Sequence, residues 1–260
     1  MAYEIRPMSV GEILDTGFRL LRNHFGLLVG LSALAYVPMG IMQIALALVG
    51  QPNKDNPAAM LIPVLIIVGV MLLVIAVTFP LAATAMTMAL GDIYVGRPTS
   101  AGQALRQSWS ILLPVVGTSL LGTLLIGLGM LLLIIPGIWL ALSYWVSSQV
   151  MVLERIFGMA ALRRSGELMR GNKGRAVVVG LVAFVLMTVV SGGATWALNA
   201  WPIPNIIAST VVGMITYAFL YAVIVVFYFD VRCRREAFDL EHLAQLVEQR
   251  SGAPAAAPAL

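Results

Sequence analysis

The chain has 260 residues, of which 60% are apolar and only 11% charged, with a formal net charge of +4 and a mean hydropathy of +0.94. Soluble domains carry about a quarter charged residues, so an ordinary water-soluble fold is excluded. A single cysteine, Cys233, excludes an internal disulfide.

The 28 charged residues are clustered, and the runs 23–53, 56–91, 107–153 and 176–229 contain none. A bilayer core about 30 Å thick takes roughly 20 apolar residues per helical crossing, so the first two runs hold one crossing each and the last two hold two each. Barrel strands would alternate apolar and polar residues, whereas Leu61–Val77 and Val177–Met187 are apolar all round. The pattern predicts an all-α integral membrane protein with six transmembrane helices arranged as three hairpins, each preceded by a short cytoplasmic interfacial helix. The transmembrane domain is expected over 1–229, with crossings at about 25–50, 59–82, 111–134, 137–153, 175–198 and 206–229.

The chain opens on Arg6-Pro7-Met8-Ser9-Val10-Gly11-Glu12-Ile13-Leu14, a segment echoed 91 residues later by Arg97-Pro98-Thr99-Ser100-Ala101-Gly102-Gln103-Ala104-Leu105. Ser9 with Glu12, and Ser100 with Gln103, have the S-x-x-E/Q spacing of a capping box, which satisfies the first orphan amides of a helix. Each cap begins an amphipathic stretch suited to the membrane interface. Ile13, Leu14, Gly17, Phe18 and Leu21 share one face in the first, and Ala101, Ala104, Leu105 and Trp109 in the second. A third such stretch, uncapped, places Ala161, Leu162, Ser165, Leu168 and Met169 opposite Arg163, Arg164, Glu167 and Arg170. All three begin on the same side, which makes a parallel repeat rather than an inverted one.

Pro38, Pro80 and Pro114 fall inside crossings one to three, where proline kinks a helix and frees a carbonyl. Pro136-Gly137 reads as a tight external turn between crossings three and four. Trp109 suits the inner interface and Trp139, Trp196 and Trp201 the outer, as an aromatic belt requires. Ser119, Thr123 and Gly127 form a small-residue stripe on crossing three, a pattern that lets helices approach closely. Beyond the last crossing, Leu240, Leu243, Ala244 and Val247 have helical spacing, which predicts a cytoplasmic amphipathic helix over 230–250. The Ala- and Pro-rich stretch 251–260 reads as a disordered tail.

Fifteen of the 16 basic residues fall on one side of this map: three in the amino-terminal arm, two in the second loop, six in the fourth and four in the tail. Lys54 alone lies on the other. The positive-inside rule puts both termini in the cytoplasm. Arg163, Arg164, Arg170, Lys173 and Arg175, in the fourth loop, are the expected contacts for anionic lipid, which a basic surface attracts by about 1 kcal/mol per residue. The 230–248 segment is the expected docking site for a cytoplasmic or membrane protein partner. The basic cluster is short and juxtamembrane, without a nucleic-acid-binding fold, so nucleic acid is not an expected partner.

Chemistry is sparse. The chain contains no H-E-x-x-H, G-x-x-x-x-G-K-[ST] or G-x-S-x-G segment, and its two histidines, His24 and His242, lie near opposite ends. No catalytic, cofactor-binding or metal site is expected. No ionisable group other than tyrosine lies deep in any crossing, whereas proton relays are built from such groups. The intramembrane polar residues singled out are Gln43, Gln149, Tyr217 and Tyr221. They either line a pathway or hydrogen-bond between helices.

Three segments carry a family resemblance: Gly96-Arg97-Pro98-Thr99 through Trp109, Ala161 through Leu168, and above all Tyr228-Phe229-Asp230-Val231-Arg232-Cys233-Arg234-Arg235-Glu236-Ala237-Phe238-Asp239-Leu240-Glu241. They resemble the multi-pass membrane domain associated with bacterial glycerophosphoryl diester phosphodiesterases and its stand-alone relatives. The resemblance implies a six-helix plasma-membrane domain. It does not imply phosphodiesterase activity, which belongs to a separate soluble barrel needing a carboxylate cluster for metal and catalytic histidines. The expected function is that of a non-enzymatic membrane scaffold or lipid-interacting module. The alternative is a passive transporter or lipid-translocating component.

Overall fold

The computed structural model describes residues 6–49, 61–198 and 200–236, and they are helical throughout apart from short connections. In chain order the helices are α1 (Val10–Asn23), α2 (Phe25–Val49), α3 (Leu61–Tyr94), α4 (Ala101–Leu132), α5 (Ile134–Ser143), α6 (Ser147–Gln149), α7 (Gly158–Leu168), α8 (Lys173–Ala197) and α9 (Pro202–Glu236). Helix α6 runs directly into a π-helical turn, Val150–Glu154. Among the described residues, six segments are long and apolar enough to cross a membrane: Phe25–Leu48, Leu61–Tyr94, Ala101–Leu132, Ile134–Glu154, Lys173–Gly193 and Pro202–Glu236. The loop carrying Lys54 and the expected features at 237–250 and 251–260 lie outside the described residues.

Helix α1 begins as its sequence dictates. Ser9 Oγ accepts the Glu12 amide and Glu12 Oε2 accepts the Ser9 amide, closing the full capping box. The Ser9 amide and the Arg6 guanidinium hold the exposed Glu12 carboxyl at about 2. At α4 the box closes on one side only, with Ser100 Oγ accepting the Gln103 amide at 3.3 Å. From there α4 continues without interruption to Leu132. The second amphipathic stretch is therefore the first three turns of a long helix, not a separate element.

Packing is graded along the bundle. Buried residues of α3 run from Ala82 to Tyr94 and those of α9 from Ala218 to Cys233, while the first half of α3 faces outward. The core sits at the end where α3 and α9 finish, closed by Tyr94 stacked on Phe229 with centroids 4.7 Å apart. Cys233 is buried there. At mid-length, Tyr36 of α2, Phe79 of α3 and Tyr217 of α9 form an aromatic triangle with centroid separations of 5.5–5.8 Å. Glycines allow these helices to approach. A methyl at Gly213 would overlap the Tyr36 ring, and one at Gly40 would lie 2.6 Å from Thr210 Oγ1.

Two expectations are corrected. The stripe Ser119, Thr123 and Gly127 is not a packing face, because all three are exposed and nothing lies within 4 Å of a methyl at Gly127. On α4 the close contacts are instead made at Gly122, against Leu162, and at Gly129, against Gly137. Trp139, expected at the outer interface, lies beneath Lys173, whose ammonium is 3.2 Å from the ring centroid. The reason is a break. Helix α5 ends after 10 residues, about 15 Å of helix and half a bilayer core, and it packs against α7 and α8.

Gly213→Ala should lower the melting temperature in detergent, by the equivalent of about 1–3 kcal/mol expected of an overpacked core. Gly127→Ala should leave it unchanged. Equal melting of both variants would show that the α2–α9 contact is not close-packed.

Candidate functional site

Arginines of α7, the start of α8 and the end of α9 meet the amino-terminal arm at one end, where carboxylates hold them. Asp230 is 1% exposed. Its Oδ1 accepts the Met8 amide at 2.6 Å, its Oδ2 accepts Arg175 Nη2 at 3.0 Å, and both oxygens accept Arg234 Nε at 3.1 Å. Arg175 and Arg234 also donate to the Met8 carbonyl, at 2.6 and 2.8 Å. The amino-terminal arm, the start of α8 and the end of α9 are thereby joined.

A second network lies alongside. Arg164 of α7 pairs with Glu154 at 2.8 Å and with Glu236 at 2.5 Å. Glu154 also accepts the Tyr228 hydroxyl at 2.7 Å, and Glu236 pairs with Arg232 at 3.0 Å. Partial burial opposes the Arg164 charge, but hydrogen bonds to the two carboxylates outweigh it and hold the guanidinium above its ordinary value. Ser165 of α7 donates to the Ser143 carbonyl at 2.8 Å, which the end of α5 leaves free.

The five basic residues singled out in the fourth loop therefore separate into three kinds. Arg164 and Arg175 are turned inward onto carboxylates. Lys173 caps Trp139. Arg163 and Arg170 are exposed, and among the described residues neither makes an ion pair. The partner segment expected at 230–248 is described only to Glu236, and over that stretch Asp230, Arg234 and Glu236 belong to the internal networks.

The intramembrane set is partly assembled. Tyr217 and Tyr221 have ring centroids 4.7 Å apart, and the Tyr217 hydroxyl is 3.5 Å from the Phe79 carbonyl. With Pro80, Thr84, Ser119 and Ser148 they line a cleft of about 320 Å³. Gln149 is fully buried and does not line the cleft: its Oε1 accepts the hydroxyl of Ser148, which does, at 3.0 Å, and among the described residues its Nε2 has no partner. Gln43 is not brought in. It sits on α2 two turns beyond Tyr36 and does not line the cleft. The cleft offers hydroxyls and carbonyls, which suit a neutral or weakly polar group and supply no proton relay.

Sequence reasoning missed the acids. Three of the four charge-free runs end on a carboxylate, at Asp92, Glu154 and Asp230, and two of these organise the networks just described. An acid set between a greasy span and a basic cluster was the available signal.

Asp230→Asn should cost about 3 kcal/mol or more, because it leaves two guanidiniums facing each other without a counter-charge; thermal unfolding in detergent reads this. Gln149→Leu removes an unsatisfied buried amide and should be neutral or stabilising by about 1 kcal/mol. A lower melting temperature for Gln149→Leu would show that the amide has a partner.

Comparison with known proteins agrees with a membrane protein without assigned chemistry. Over 91 residues the chain is 40% identical to a UPF0259 membrane protein of Pectobacterium carotovorum subsp. carotovorum (strain PC1), a match covering 35% of this chain and 36% of that protein. The chain thus spans about a third of the length of that relative. No solved structure matches. Residues 103–233, half of the chain from early α4 through the Asp230 cluster, match the family described as Domain of unknown function (DUF8558), and the chain belongs to that family.

Proposed function

We propose that the chain is a non-enzymatic multi-pass protein of the bacterial plasma membrane, with both termini in the cytoplasm, acting as a lipid-interacting module or membrane scaffold. The observation that carries this reading is the meeting of the amino-terminal arm, α7, the start of α8 and the end of α9 at one end through Asp230, Glu154 and Glu236. In the sequence map 15 of the 16 basic residues fall on one side of the membrane and Lys54 alone on the other. Positive charge gathered at one end fixes orientation and faces the anionic lipid of the cytoplasmic leaflet. On this reading α1, α7 and the first turns of α4 are the interfacial helices of three hairpins. The resemblance of the 228–241 segment to phosphodiesterase-associated membrane domains supports a lipid setting and supplies no catalytic groups.

A second reading, passive movement of a solute or lipid, draws on the hydroxyl-lined cleft and on the fourth span. That span breaks at residues 144–146 and then enters a π-turn. Discontinuous membrane helices are the usual way to present backbone groups to a passenger.

Three measurements test the orientation and these readings. With Cys233→Ser as background, an impermeant maleimide added to intact cells should label a cysteine at 53 and not one at 170; the reverse would overturn the orientation. In native mass spectrometry the protein should retain more phosphatidylglycerol than phosphatidylethanolamine, and Arg163→Gln/Arg170→Gln should lower the number of phosphatidylglycerols retained. Equal retention of both lipids by wild type and variant would remove the lipid role. Fluorescent-lipid movement in proteoliposomes that stops in Tyr217→Phe/Tyr221→Phe would favour the second reading.

A further inference from the structure

We infer that a second cavity at the basic end is a binding site for the phosphodiester group of a membrane lipid, held by Arg97 and Arg155. The inference rests on the lipid-interacting reading above and gives it a specific site, away from the exposed Arg163 and Arg170. The cavity has a volume of about 540 Å³, within the range of small-ligand pockets. It lies where α3 ends, α4 begins, the π-turn finishes and α9 passes. Its polar wall is made by Asp92, Arg97, Gln103, Gln107, Arg155 and Arg232.

The arginines at this end are not equivalent. Arg164, Arg175, Arg232 and Arg234 each sit on a carboxylate. Arg97 and Arg155 are exposed at the cavity, and among the described residues neither lies within ion-pair distance of an acid. Both are placed by tight backbone geometry. Arg155 follows the π-turn in the left-handed region, φ 57° and ψ 33°, which a side chain larger than glycine rarely adopts and which recurs at functional sites. Irregular π-turns recur there too. Arg97 is anchored by its amide, which donates to the Asp92 carbonyl at 2.7 Å, just after Gly96 at φ 81°.

Charge selects the ligand. Arg232 is neutralised by Glu236, so the wall carries Arg97 and Arg155 against Asp92, a net charge of one positive. A phosphodiester carries one negative charge and matches it. A phosphomonoester carries nearer two and would face Asp92 with charge to spare. Guanidinium forks suit phosphate oxygens, and the amides of Gln103 and Gln107 can donate to the remaining oxygens or to glycerol hydroxyls. The apolar side, including Val152 and Phe229, suits the glycerol and the first methylenes of the acyl chains.

The test uses the full chain in detergent, native mass spectrometry, and equimolar phosphatidylglycerol and phosphatidylethanolamine. Arg97→Gln/Arg155→Gln should lower retention of the most tightly held phosphatidylglycerol at least about tenfold with an unchanged melting temperature. Asp92→Asn, which removes the negative charge from the same wall, should increase it. Arg163→Gln/Arg170→Gln should leave that lipid bound. If only the Arg163/Arg170 variant loses lipid, this site is wrong and the general lipid reading stands; if no variant changes retention, both fall. Glycerophosphoglycerol, which has the phosphodiester without acyl chains, should not displace the lipid at equal concentration. Displacement by it would overturn the assignment to a membrane lipid in favour of a soluble phosphodiester.

Discussion

The carboxylate of Asp230 is the constraint on which the packed end of this molecule depends. It is buried, and it takes hydrogen bonds from two arginines and from the backbone of the amino-terminal arm. Each partner comes from a different segment, so one side chain fixes the relative positions of the chain's beginning, α8 and α9. Two guanidiniums brought together around a peptide carbonyl would repel without it. Burial of the carboxylate is tolerable because two partly exposed guanidiniums and a backbone amide pair with it. Aromatic stacking of Tyr94 on Phe229 then extends the same junction to the end of α3.

That junction explains the gradient of packing. Where charges pair and helices end, side chains are buried on all sides. Farther along, α3 exposes Leu61, Ile62, Leu65 and Ile66 by 60–70%. In water such a surface would collapse or aggregate. In lipid it needs no protein partner, because hydrocarbon is as apolar as leucine. The bundle is consequently held by polar chemistry at one end and by glycine-permitted contacts at mid-length, with little hydrophobic driving force between.

Much of this architecture was legible beforehand because it follows from one-dimensional rules. Charge-free length gives the number of membrane-length helices, and Ser9 with Glu12 marks the first residue of α1 to within one position. The side-chain networks were not legible, because whether Arg175 turns to lipid or to Asp230 depends on what stands 55 residues away. Trp139 was misplaced for a related reason. Its hydropathy is that of an interfacial belt residue, and nothing local shows that α5 stops after 10 residues and packs against α7 and α8. The small-residue stripe on α4 failed because spacing identifies a face without identifying a neighbour. Tyr217 and Tyr221 came together on one cleft wall, whereas neither Gln43 nor Gln149 lines it; Gln149 reaches it only through its bond to Ser148.

The tip between α4 and α5 is built from Leu131, Leu132, Leu133, Ile134 and Ile135, each 68–85% exposed. It has no ionisable or hydroxyl-bearing group that must leave water for oil during biogenesis. By contrast, with both termini in the cytoplasm as proposed, the connection carrying Lys54 and Asp55 would have to carry ions past the hydrocarbon. The two loops thus pose unlike problems to the insertion machinery: one requires transfer of charge, and the other lets a paired helix unit partition sideways from the translocon as a single greasy body.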